Sequence, residues 1–151
     1  MITYNNLINR FETFANSNHF IRTFTHGSPD GVDLDKFELY PAMHVVYTGA
    51  TYGDLDKTYS FEVYILSLPP NKTDAADFSA SVISESEQVA EDLIADLRTG
   101  GDVFKRNDLY SIESAFTTPL EDAQSNVLSG ILLNISIIAG FDNSSCNAPL
   151  T

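Results

Sequence analysis

The chain has no tryptophan, one cysteine and only eight basic residues. Each shortage removes a class of function. With Cys146 alone, neither an intrachain disulfide nor a thiolate metal cluster can form, and a reducing compartment, or an origin indifferent to redox, suits such a chain. The eight Lys and Arg face 21 Asp and Glu, for a formal net charge of -13. The basic residues are scattered, with only Lys105 and Arg106 adjacent. Gripping a nucleic-acid backbone takes clustered cations, so specific nucleic-acid binding is not expected, and anionic membranes are disfavoured for the same reason. A bilayer-spanning helix needs about 20 apolar residues. The apolar stretch at 127–141 is shorter and carries Asn134 and Ser136. Met1 leads directly into "ITYNNLINRF" without the basic start, apolar core and small-residue cleavage site of a signal peptide, so none is expected.

Catalytic signatures are missing too. There is no Gly-x-Ser-x-Gly, no Walker loop and no dinucleotide fingerprint. His19, His26 and His44 fall in different elements, without metal-ligand spacing. Asp30, Asp33, Asp35 and Glu38 sit close together, but the glycine and Asp/Asn alternation of a calcium loop are lacking. A solvated acidic loop is the favoured reading of 26–38, with calcium at Asp30, Asp33 and Asp35 left open. Glu87 and Glu91 read as solvating charges on a helix. The sequons at Asn71, Asn134 and Asn143 read as chance matches. Neither catalysis nor a cofactor or metal is expected.

What is present is an ordinary folded composition: 43% hydrophobic, 19% charged, ten Phe and seven Tyr. One domain over 1–151 is the natural reading. Leu7, Ile8, Phe11, Phe14 and Ala15 recur at helical spacing, with Tyr4 one turn earlier. "FIRTFT" at 20–25 alternates as a short strand, and 41–52 with 58–68 form a hairpin around "YGDLDK". A long helix spans 79–98. Its apolar stripe is Val82, Ile83, Ser86, Val89, Ala90, Leu93, Ile94 and Leu97, and Gly100–Gly101 stops it. A strand at 110–117, a turn in "TPLEDAQSN" and a final strand over 127–141 close the chain. The fold class is α+β: about five mostly antiparallel strands with two helices on one face.

The final strand, "SGILLNISIIAGF", is apolar on both sides. Val127, Ile131, Leu133, Ile135 and Ile137 share one face; Leu128, Leu132 and Ile138 share the other. Two helices cover one sheet face. The second would expose Leu128, Leu132, Ile138, Tyr64, Leu66 and either Val46 or Tyr47. Either the sheet curls on itself at Gly130 or a bulge, or a neighbouring subunit covers the face or extends the strand's edge.

The order of elements resembles the tail-terminator (tail-completion) proteins of long-tailed bacteriophages: an amphipathic helix, a strand, the "YP"-led hairpin "LYPAMHVVYTGAT…KTYSFEVYILSL", a long helix "SVISESEQVAEDLIADL", then a last hairpin. The resemblance covers most of the chain and lies in pattern, not in a diagnostic motif. It implies a structural protein without catalytic residues that forms a ring, usually a hexamer. The ring caps the tail tube and joins it to the head connector, with DNA passing through unbound. The implied partners are self, the tube protein and the connector protein. The implied place is the virion, in tail or neck, after assembly in the host cytoplasm. Candidate subunit contacts are Leu128, Leu132 and Ile138 on the final strand, with Tyr52, Asp54 and Asp56 at the hairpin tip. A head–tail connector or other neck-ring protein is the first alternative. The second is a small acidic ligand-binding domain with a cavity lined by Tyr47, Tyr64 and Leu132.

Overall fold

The computed structural model describes residues 3–27, 41–67, 75–99, 110–123 and 128–140. The acidic loop with Asp30, Asp33 and Asp35, the Lys105–Arg106 pair, Val127 and Cys146 lie outside them. Helix α1 (Tyr4–Ser17) opens the chain. Strands β1 (Thr23–His26), β2 (Ala42–Tyr52) and β3 (Asp56–Ser67) follow, then helix α2 (Ala75–Thr99), then β4 (Tyr110–Ala123) and β5 (Leu128–Gly140). The five strands form one sheet in the order β1-β2-β3-β5-β4. Only the β1–β2 pair is parallel. The expected α+β layout, two helices against a mostly antiparallel five-stranded sheet, is the observed one.

Local chemistry starts α1. Thr3 and Asn6 form a capping box, each side chain meeting the other's backbone N–H, which satisfies two donors that the first turn leaves orphaned. The five apolar residues named from the spacing, Leu7, Ile8, Phe11, Phe14 and Ala15, are all buried. They pack with Val89, Ala90 and Leu93 of α2 on the sheet face made by Met43, Val45, Phe61, Val63, Ile65, Ile131, Leu133, Ile135 and Ile137. Register explains the set. Val45, Val63 and Leu133 align across three strands, as do Met43, Ile65 and Ile131. Period-two alternation then places all of them on the helix-covered side. Tyr4 rests on Tyr47 with ring centres 4.7 Å apart, and Phe11 meets Phe61 edge-on at 5.1 Å.

Two glycines shape the sheet. Gly49 has φ +139 beside the irregularity in the β2–β3 register between Tyr47 and Gly49, a backbone geometry that side chains resist. At Gly130 a Cβ would overlap the backbone of Ile65 and Leu66 on the neighbouring strand.

Several expected boundaries move. β1 begins at Thr23 instead of 20: Phe20 N–H is taken by Asn18 Oδ1 (2.9 Å), Arg22 N–H donates to the Pro41 carbonyl (2.8 Å), and the ladder with β2 starts at Thr23 and Ala42. β4 runs on to Ala123 through the segment expected as a turn, with Pro119 inside it. Proline is tolerated there because β4 is the last strand of the sheet and pairs on one side only. β5 lies between β3 and β4, so its edges are both occupied and a neighbouring subunit cannot extend it.

Candidate functional site

The second sheet face is less apolar than the sequence suggests. Its rows run Thr118–Leu132–Tyr64–His44, then Phe116–Asn134–Glu62–Val46, then Ser114–Ser136–Ser60. Asn134 and Ser136 interrupt β5 between Leu132 and Ile138, and the Ser60 and Ser136 hydroxyls lie 3.5 Å apart. Ala42, Val46 and Leu66 belong to this face and are already buried, while Tyr64, Leu132 and Ile138 are half-buried. The expected excess of bare apolar surface is therefore corrected to a smaller patch. Val46 belongs to this face; Tyr47 belongs to the helix-covered one. Tyr47 thus cannot line one cavity with Tyr64 and Leu132, which removes the pocket expected for a ligand-binding domain.

His44 is buried on this face, with Nδ1 2.7 Å from the Thr25 hydroxyl across the parallel pair. Tyr64 donates its hydroxyl to Glu62 Oε2 at 3.1 Å. Burial first, and this bond second, push the Tyr64 hydroxyl above its ordinary 10.0.

The hairpin tip is a distinct surface. Gly53 N–H donates to the Asp56 carbonyl at 2.8 Å and closes the turn. Tyr52 and Leu55 stand outward at 59% and 77% exposure. Asp54 is exposed and Asp56 half-buried. The Lys57 ammonium lies over two rings, 4.9 Å from the centre of Tyr52 and 4.4 Å from that of Tyr59. Hydrogen bonding to Tyr52 raises the Lys57 pKa; burial opposes the shift and hydrogen bonding to Tyr59 adds to it. The exposed Tyr52 ring is thereby held in place by a cation whose neighbour Tyr59 is buried.

The predicted site residues do not make one patch. Tyr52, Asp54 and Asp56 gather at the tip. Leu132 and Ile138 share a face but stand six residues apart on β5, about 20 Å at 3.3 Å per residue. Leu128 pairs with Ala123 near the start of β5; its side chain lies outside the described residues. Leu55 and Phe116 were missed. Phe116 is 59% exposed on the second face, and it hid because "YSIESAFT" reads equally well as a strand with this residue inside the core. Leu55 sat within a turn motif read for backbone only.

On the helix side, Asn18, His19 and Phe20 face Glu85, Gln88 and Asp92 of α2 across an open groove of about 370 Å³. Glu87 is half-buried and accepts a hydrogen bond from the Thr117 hydroxyl (3.3 Å), tying α2 to β4 instead of only solvating the helix. Among the described residues no cluster of three or more His, Cys, Asp or Glu could hold a metal ion, and no helix is long and apolar enough to cross a membrane. No protein-family model matches the chain, and a search of curated proteins finds none similar to it.

Proposed function

We propose that this chain is a structural protein of a long-tailed bacteriophage virion, a tail terminator whose copies form a ring on the tail tube and join it to the head connector. The observation that carries the reading is the hairpin tip. A strongly acidic chain turns Tyr52 and Leu55 outward at the β2–β3 turn, whose strands stay paired to its base, Tyr52 with Lys57 and Asp56 with Gly140 of β5, and an exposed aromatic ring held in this way is the kind of anchor protein contacts use. The α+β layout agrees with the element order on which the resemblance rests. Charge supports the passage of a genome. Six copies at -13 carry roughly -78, and acidic walls repel a phosphate backbone instead of holding it. The ring, the tube protein and the connector protein are the partners in this reading, with DNA passing unbound through the lumen.

The test is assembly of the purified chain with the tail tube protein of the same phage, imaged by negative stain. Rings seated on one end of the tubes, with tube growth stopped there, are expected. Rings that seat only on the head connector would assign the chain to the neck instead. Tubes left bare and uncapped would overturn the terminator reading.

A further inference from the structure

Resting on the ring reading above, we propose that the ring junction is heterologous: the Tyr52–Leu55 tip of one copy docks beside Phe116 on the second sheet face of the next. Three large apolar side chains stand out from the described surface, Tyr52, Leu55 and Phe116. They form two sites. Phe116 aligns with Asn134 and Glu62, six residues along β3 from Asp56, about 20 Å from the tip along the strand. A closed ring needs two such unlike patches on each subunit, whereas a patch that meets its own copy closes at two.

Charge selects the pairing. A chain at -13 can meet another copy only where its surface carries least charge. The same-face neighbours of Phe116 are Ser114, Thr118, Leu132 and Asn134, all uncharged. The next charge along the row, Glu62, accepts the Tyr64 hydroxyl. Tip against tip would bring the exposed Asp54 carboxylates of two copies together. Tip against the Phe116 face instead sets Asp54 against uncharged Ser114, Thr118 and Asn134, with Lys57 beside Tyr52. Strand addition at β4 is disfavoured, since Pro119 and two register irregularities blunt that edge. The contact is therefore between side chains.

Two variants decide it. Leu55→Asp removes the tip and leaves the Phe116 face; Phe116→Asp does the reverse. Each alone is expected to stay monomeric by light scattering, with self-association weakened about tenfold or more. Mixed one to one, they are expected to form a dimer and nothing larger, because only one working junction can form. Thermal melts confirm folding, and Leu55→Ser with Phe116→Ser replaces any Asp variant that unfolds. Full rings from either variant alone would overturn the junction and leave the ring reading standing. An unmixed pair of monomers that stays monomeric on mixing would overturn it too. If the wild-type chain forms rings only on the tail tube, the same variants are read there by negative stain, and rings formed by either variant alone overturn the junction.

Discussion

Ser86 sits on the buried stripe of α2, fully shielded, and its hydroxyl makes no hydrogen bond among the described residues. A buried hydroxyl without a partner costs about 1–3 kcal/mol of desolvation. Ser86→Ala is therefore expected to stabilise the chain by about 1 kcal/mol, read as a thermal midpoint a few degrees higher. An unchanged or lower midpoint would mean that the hydroxyl is satisfied in solution. Titration gives a second residue-scale expectation. Burial raises Tyr47 and Tyr64 above 10.0, and Lys57 lies above its ordinary 10.5, chiefly through its hydrogen bond to Tyr52. A raised tyrosine favours the neutral form, so its contribution is intact below pH 10.0 and is lost as pH climbs through the folded value. Lys57 follows the same sign, with its contribution lost above 10.5. Denaturant midpoints are expected to hold steady up to about pH 10 and then fall. Tyr64→Phe should make the fall shallower; an equally steep fall in that variant would exclude Tyr64 as a cause.

At the scale of elements, the helices were the most legible part. The spacing of Leu7, Ile8, Phe11, Phe14 and Ala15 named the whole buried face of α1; of the α2 stripe, Val82, Ser86, Val89, Ala90 and Leu93 are buried, Ile83 and Ile94 are half-buried, and the Leu97 side chain lies outside the described residues. The α1 cap was not read, although Thr3 and Asn6 stand at capping-box spacing. Thr3→Ala is expected to cost about 0.5–2 kcal/mol, measured as a lower denaturant midpoint; a neutral result would mean that the cap is frayed. β4 was read short because proline is normally a strand breaker, and nothing local says that a strand will lie at a sheet edge. The pairing order was out of reach for the same reason. That β5 lies inside the sheet, and β1 runs parallel to β2, depends on contacts between distant segments. The candidate site was half legible. Turn chemistry located the tip, but period-two alternation in β5 overstated the bare apolar surface, because it weighed Leu132 and Ile138 without the intervening Asn134 and Ser136.

For the whole molecule, charge and shape pull against each other. A net charge of -13 keeps copies apart, while the tip and the Phe116 face each offer an apolar contact. Screening weakens the repulsion, since the Debye length falls from about 30 Å at 0.01 M salt to about 8 Å at 0.15 M. Self-association is expected to strengthen as salt rises over that range, followed by sedimentation. Association that weakens with salt would point to charge pairing, not apolar contact, as its source. The central claim is that the chain builds a ring. The most direct measurement is the mass of the purified chain by light scattering, followed by negative-stain imaging, alone and with the tail tube protein. A closed ring, in either condition, is the predicted result. A chain that stays monomeric in both contradicts the account.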